Sequence, residues 1–196
     1  MARPRDPEID WKVIEACVEL LDETGRAGLT RAKVAARAGV SLPAVTRRYA
    51  SVDDIVLAIA RTPPRAPAGH EPAPDLRTLR DFLREQLVGT AASFAAGHIR
   101  RSAAELLAAA GGDERIDEAF RATLDRVRGP GRWWVEHARA TGEVRPDVDA
   151  EALLDAVAGA AYYRLLWRGE ALTEADIDPL LDLLLLGAAP RSDDRG

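Results

Sequence analysis

The segment LTRAKVAARAGVSLPAVTRRYA, Leu29 to Ala50, constrains this chain more than any other stretch of it. Two short runs, each with apolar residues three and four apart, flank Gly39, which supplies a left-handed turn. Each run opens on a hydroxyl residue suited to cap a helix, Thr30 for the first and Ser41 for the second. Helices joined this tightly cross steeply, so a small side chain is needed where their backbones meet, and apolar side chains from both must enter one core. Ala35, Gly39 and Val45 fit the close approach and the turn, while Val34, Ala38, Val40 and Val45 supply the core. The spacing predicts a helix-turn-helix, Thr30 to Ala38 and Ser41 to about Tyr49, with Arg31, Lys33, Arg37, Arg47 and Arg48 on solvent-facing arcs.

Charge sharpens that reading. The whole chain carries 27 basic and 32 acidic side chains, a net charge of -5, which taken alone argues against a phosphate-bearing partner. The distribution says otherwise. From Thr24 to Val52 there are six basic side chains (Arg26, Arg31, Lys33, Arg37, Arg47, Arg48) and no Asp or Glu. A helical hairpin with an ordinary solvated face mixes signs, and at the chain's average acid content such a window would hold about four or five acids. The motif and the acid-free arc together point to double-stranded DNA.

The rest of the chain lacks period-two alternation and repeats apolar residues three and four apart, so the fold class is all-α. A first helix is expected over Ile9 to Glu23, and a fourth, capped by Ser51, ends near Thr62. Pro63 to Pro74 holds five of the twelve prolines and marks a boundary. This divides the chain into a three- to four-helix DNA-binding domain over 1–62, a proline-rich linker over 63–74 and a larger helical domain over 75–190. In the larger domain a helix of about twenty residues starts near Leu76, and others run from His98 to Ala110 and from Asp113 to Arg128. Gly129-Pro130-Gly131 is expected to break the pattern before a short helix from Trp133 to Thr141. Two final helices, Asp149 to Arg168 and Thr173 to Leu186, follow, with Pro179 either kinking the last one or sitting in its first turn.

With Cys17 alone, an intramolecular disulfide is impossible and a cysteine-based zinc site lacks ligands, which places the protein in the reducing cytoplasm. The N-terminus MARPRDPEID never enters an apolar signal region, and runs such as Ile55 to Ala60 and Ala156 to Tyr163 fall short of the roughly 20 residues of a membrane helix. His70, His98 and His137 are isolated, and neither HExxH nor GxSxG occurs. The expectation is a protein that is not an enzyme and holds no metal or cofactor.

ELLDETGRAGLT, AARAGVS and Val45-Thr46-Arg47-Arg48-Tyr49 stand in the register of the TetR family of transcriptional regulators, which this chain resembles over nearly its whole length, more loosely between Asp75 and Arg139. Three positions depart: the family's usual Tyr is Thr46, its usual His is Arg48, and the Lys that often follows the recognition helix is Val52. The resemblance implies that Ser41 to Arg47 enter the major groove with Leu42, Pro43 and Ala44 nearest the bases. Those three touch thymine methyl groups at most, whereas Arg47 is suited to bidentate contact with guanine. Thr46 and Arg48 take the places of the family's phosphate contacts, Thr30 and Arg31 meet phosphate at a helix start, and Arg3 and Arg5 form an arm reaching the minor groove.

Gly142 to Gly187 resembles the end of the ligand-binding domain in one branch of the family. Its last helix carries Leu180, Leu181, Leu183, Leu184, Leu185 and Leu186 around almost its full circumference, and the preceding helix offers Ala156, Ala158, Gly159, Ala160 and Ala161 for close approach. A dimer interface is therefore expected at Ala156, Gly159, Ala160, Leu180 and Leu184, giving a homodimer suited to a palindrome. The family's effector pocket, carried by the resemblance, falls to Phe82, Phe94, His98, Phe120, Trp133, Trp134, Tyr162 and Tyr163. The whole reads as a repressor released from its operator DNA by a small apolar or aromatic effector. The alternative is an all-α protein-interaction module without DNA binding, which leaves the acid-free basic window unexplained.

Overall fold

The computed structural model describes residues 7–63, 76–95 and 100–188, and among them only helices and their connections occur. The elements are α1 (Pro7–Thr24), a 3-10 turn (Arg26–Gly28), α2 (Arg31–Arg37), α3 (Leu42–Thr46), α4 (Val52–Arg61), α5 (Leu79–Ala95), α6 (Arg100–Gly112), α7 (Glu114–Thr141), α8 (Ala150–Tyr162) with a π-helical extension (Tyr163–Arg168), and α9 (Glu174–Ala188). They form two compact units, residues 1–64 with 98–124 and residues 65–97 with 125–196, and the division falls within α7.

The first unit is built on α1, whose buried Val13, Ala16, Cys17, Leu20 and Leu21 follow the three-and-four spacing of a single helical face. Leu29, Val34, Ala35, Val45, Tyr49 and Ile55 close over that face. Cys17 is fully buried in this cluster, and burial pushes its thiol up to about 12. Gly25, at φ 67°, ends α1 in a conformation open to glycine. α4 begins with a capping box in which Ser51 accepts from Asp54 N while the Asp54 carboxylate accepts from Ser51 N.

α6 and the start of α7 belong to this unit, in addition to the helices expected over 1–62. The amide of Arg101 donates to Asp22 Oδ1 at 3.0 Å, and its guanidinium donates to the Glu23 carbonyl at 3.1 Å, so α6 satisfies acceptors at the C-terminal end of α1. Ala109, Ala110, Ile116 and Ala119 then pack with Val56, Leu57 and Ala60 of α4.

The second unit packs α5, the later part of α7, α8 and α9 around Leu79, Leu83, Val135, Ala138, Ile177 and Leu181. At its surface Arg80 and Arg84 of α5 pair with Glu174, Asp178 and Asp182 of α9. The break expected at Gly129-Pro130-Gly131 does not occur: α7 runs through it. The physical reason lies in packing. Gly131 is buried, and a Cβ there would meet Leu154 Cδ2 at 2.9 Å, so this glycine serves close approach of α8. Pro130 removes an intrahelical donor, and nearby Arg132 donates to the Asp125 carbonyl. Pro179 likewise lies inside α9 rather than at its first turn. The expected single helix from Asp149 to Arg168 is α-helical to Tyr162 and π-helical beyond, ending at Gly169 with φ 67°.

Candidate nucleic-acid interface

Two local caps fix the helix-turn-helix. Thr30 Oγ1 accepts from Lys33 N at 3.2 Å to start α2, and Ser41 Oγ accepts from Ala44 N at 3.3 Å to start α3. Gly39, at φ 65°, makes the turn between them. Thr30 and Ser41, two of the three hydroxyl residues expected at DNA, thus each accept a hydrogen bond within their own helix.

The exposed arc of α3 consists of Leu42, Pro43, Thr46 and the C-cap residue Arg47. Leu42 is 42% exposed, an unusual position for a large apolar side chain on so short a helix. Thr46 Oγ1 donates to the Pro43 carbonyl at 3.3 Å. Arg47 has no ion-pair partner among the described residues, so its guanidinium is the uncommitted donor group on this arc.

Two residues placed at the DNA by the sequence point inward instead. Ala44, expected among the groups nearest the bases, is buried beside Val45 on the core side of α3. Arg48, expected at phosphate on a solvent-facing arc, has a side chain only 10% exposed. It follows Val45 by three positions and so shares its core-facing side. Its Nε lies 3.1 Å from Asp10 Oδ1 of α1, and its Nη1 donates to the Ala44 carbonyl at 3.2 Å.

Folding also neutralises two further cations of the acid-free window. Arg37 bridges Glu19 at 3.0 Å and Glu23 at 2.7 Å on α1, which drives its pKa still higher, and Arg26 pairs with Asp53 of α4. Arg31, Lys33 and Arg47 remain. Arg31 Nη1 donates to the Tyr49 carbonyl at 3.2 Å and Lys33 Nζ to the Gly28 carbonyl at 2.8 Å, neutral partners that leave both charges uncompensated. None of the acids Asp10, Glu19, Glu23 and Asp53 was read from the sequence as a partner of these cations. Glu19 and Glu23, one turn apart on α1, carried a readable signal; Asp10 and Asp53 gave none. Arg3 and Arg5 lie outside the described residues.

In the second unit the aromatic candidates form pairs. Phe82 stacks on Trp134 at 6.0 Å, Phe94 meets Tyr162 edge-on at 6.1 Å, and Trp133 lies against both Trp134 and His137. Trp133 and Tyr163 are largely exposed. Phe120 belongs to the first unit, packed with the α4–α6 cluster, and His98 lies outside the described residues. An open groove of about 210 Å³ is lined by Val88, Ala91, Ala92, Ala95, Leu172, Glu174 and Ile177, none of them an aromatic candidate. Of the interface candidates, Ala156 and Gly159 are exposed and Ala160, Leu180 and Leu184 half-buried. Beside them in the same helices, Tyr163, Trp167, Leu183 and Leu186 are 60%, 79%, 72% and 75% exposed. Among the described residues there is no metal-ligating cluster, and no helix is long and apolar enough to cross a membrane.

Residues 73–184 match the family described as tetracyclin repressor-like, C-terminal domain. An uncharacterized HTH-type transcriptional regulator of Bacillus subtilis strain 168, YdeS, is 26% identical over 185 residues, covering 91% of this chain and 89% of YdeS. The crystal structure of the TetR family transcription regulator SCO0332 is 30% identical with a TM-score of 0.65, covering 93% of this chain and all of the other. The regulator FadR from Bacillus subtilis, solved in complex with stearoyl-CoA, shares the fold at 16% identity and a TM-score of 0.71, covering 90% of this chain and 98% of its own.

Proposed function

Because the chain belongs to the TetR family of transcriptional regulators, we propose that it is a repressor that binds a palindromic operator as a homodimer and is released by a small apolar or aromatic effector. One observation carries the DNA-reading part: on the exposed arc of α3 a single uncommitted guanidinium, Arg47, stands beside the apolar Leu42 and Pro43. Arg47 reads guanine through O6 and N7, and Leu42 and Pro43 contact thymine methyl groups. Thr30, Arg31, Ser41 and Thr46 line the adjacent backbone, with Arg3 and Arg5 as an arm. For function the division is proposed as a head over 1–62, a linker over 63–74 and a regulatory domain over 75–190, of which α6 and the start of α7 pack with the head.

The large apolar side chains left exposed along α8, its π-helical extension and α9 support self-association, since several such groups are costly to leave in water. A second copy related by a two-fold axis covers Ala156, Gly159, Ala160, Leu180 and Leu184 with their neighbours. The effector reading rests on the aromatic pairs around Phe82, Phe94, Trp134 and Tyr162, and a neighbour of the same fold was solved with stearoyl-CoA.

Selection of bound duplexes from a random library, followed by titration of single-base variants, tests the reading. Wild type is expected to enrich a palindrome with a guanine in each half-site. Arg47→Ala then costs about 1 to 3 kcal/mol at that guanine and relaxes preference there. An unchanged base profile refutes the assignment. Light scattering on Leu183→Glu is expected to show monomer where wild type shows dimer. Binding that does not depend on salt would favour the interaction module instead.

A further inference from the structure

The paired cations of the head are not equivalent. Arg37 and Arg26 lie in ion pairs that keep about a third of each side chain exposed, whereas Arg48 is nearly enclosed, with its Nε 3.1 Å from one carboxylate oxygen of Asp10. The same oxygen accepts from the Tyr49 hydroxyl at 3.1 Å. One carboxylate near the start of α1 therefore holds two consecutive residues at the C-terminal end of the recognition helix. Tyr49 is gripped again through its backbone, since its carbonyl accepts from Arg31, itself one of the uncompensated cations of the interface. Arg48 in turn reaches back to the Ala44 carbonyl inside α3.

α3 is only five residues long. A helix of that length has little intrinsic stability, so its orientation depends on what holds its ends. Its start is held by the Ser41 cap and its end by the Asp10 carboxylate. Without that negative charge the Arg48 guanidinium has no ionised partner in an enclosed site, a situation a cation relieves by swinging into water. Arg48 adjoins Arg47, so a released Arg48 emerges beside the DNA-reading surface as an extra mobile positive charge.

We propose that Asp10 is a positioning residue for DNA recognition: it withholds the Arg48 cation from phosphate and clamps Tyr49, so that the end of α3 presents Arg47 alone. This rests on the reading of the chain as a DNA-binding regulator. Asp10 touches no nucleic acid in this role. It acts through Arg48 and Tyr49, trading a possible sequence-independent phosphate contact for a fixed recognition helix. Charge withheld lowers non-specific binding, and a fixed helix sharpens specific binding.

The experiment uses the full chain and compares wild type with Asp10→Asn, which keeps an oxygen acceptor for Tyr49 but removes the charge, and with Tyr49→Phe, which removes only the hydroxyl. Each is titrated against its selected operator duplex and against a scrambled duplex over a salt series, after melting curves establish cooperative folding. Asp10→Asn is expected to steepen the slope of log K against log salt by about 1.8, the effect of one added phosphate contact per head of a dimer. Its operator-to-scrambled affinity ratio is expected to fall about tenfold. Tyr49→Phe leaves the slope unchanged and lowers the ratio by a smaller factor. A slope and ratio equal to wild type in Asp10→Asn overturn the inference while leaving the regulator reading standing. Should Asp10→Asn not fold, an unchanged ratio in Tyr49→Phe overturns the clamp. Failure of wild type to bind any duplex with salt dependence overturns the regulator reading itself.

Discussion

The pairing of cations within the head makes a quantitative prediction about counterions. A protein that neutralises Z phosphates on duplex DNA shows a slope of log K against log salt near -0.9Z. If all six cations of the acid-free window met phosphate, a dimer would engage twelve and the window would contribute a slope near -11. Arg26, Arg37 and Arg48 are committed to Asp53, to Glu19 and Glu23, and to Asp10. With only Arg31, Lys33 and Arg47 uncompensated, the window contributes a slope of about -5 at most. Single substitutions isolate the difference from any contribution elsewhere in the chain.

Lys33→Ala or Arg31→Ala removes one contact per head, two per dimer, and is expected to make the slope shallower by about 1.8. Arg37→Ala is expected to leave it unchanged, because the guanidinium it removes already faces Glu19 and Glu23. The assay is fluorescence anisotropy of a labelled duplex from about 50 to 200 mM salt, the range over which several phosphate contacts change affinity by orders of magnitude. The reasoning is refuted if Arg37→Ala flattens the slope as much as Lys33→Ala does. In that case the α1 carboxylates release Arg37 when DNA arrives, and the charge count read along the sequence was the correct one after all.

Other substitutions test the fold. Ser51→Ala removes one half of the α4 capping box and is expected to cost about 1 kcal/mol in urea unfolding, with no change in m value. Pro130→Ala restores a donor inside α7 and is expected to raise stability by about 1 to 3 kcal/mol; a loss would mean that a proline kink is needed to seat Gly131 against Leu154. The Cys17 thiol, pushed from an ordinary 9.0 to about 12, stays protonated in the folded state when the unfolded chain has begun to ionise. Its contribution is therefore complete below about pH 9 and is lost as pH rises toward 12. Between pH 8 and pH 10 wild type is expected to lose about 1 kcal/mol more than Cys17→Ala, and native Cys17 to resist alkylation.

Most helices were legible because they rest on signals only a few residues wide. The buried stripe of α1 repeats at three and four, and Thr30, Ser41 and Ser51 each accept a hydrogen bond from a backbone amide three residues on. Where the reading failed, a long-range contact outweighed a local signal. Gly129-Pro130-Gly131 has the composition of a break, yet Gly131 is the surface on which Leu154 sits, and burial against α8 carries the helix through. The π-helical extension after Tyr162 had no signal at all, since it differs from an α-helix only in which carbonyl each amide finds. The gathering of α6 into the head was likewise invisible: its attachment depends on Arg101 reaching the α1 carbonyls from seventy-eight and seventy-nine residues away.

The site shows the same division more sharply. Which residues form the recognition helix was readable, because capping and turn chemistry are local. Which of them lie exposed and unpaired was only half readable. A window of sequence counts charges by their neighbours along the chain, whereas the field at a DNA surface sums neighbours in space. Arg37 has its acids fourteen and eighteen residues back, and Arg48 has Asp10 thirty-eight back, all outside the window of residues 24–52. The acid-free stretch therefore coincides with the helix-turn-helix, and its charge count is twice the charge left without an acidic partner. Half of that charge ties α1 to α2 and to the end of α3, and the 3-10 turn to α4, and the half left over is spread across Arg31, Lys33 and Arg47. Three uncompensated cations per head limit what residues 24–52 contribute by attraction alone at moderate salt. On the proposed reading, shape, Leu42 and Pro43 against base methyl groups and two heads acting together supply the rest, so a variant that does not self-associate, such as Leu183→Glu, is expected to lose operator binding in the same anisotropy assay.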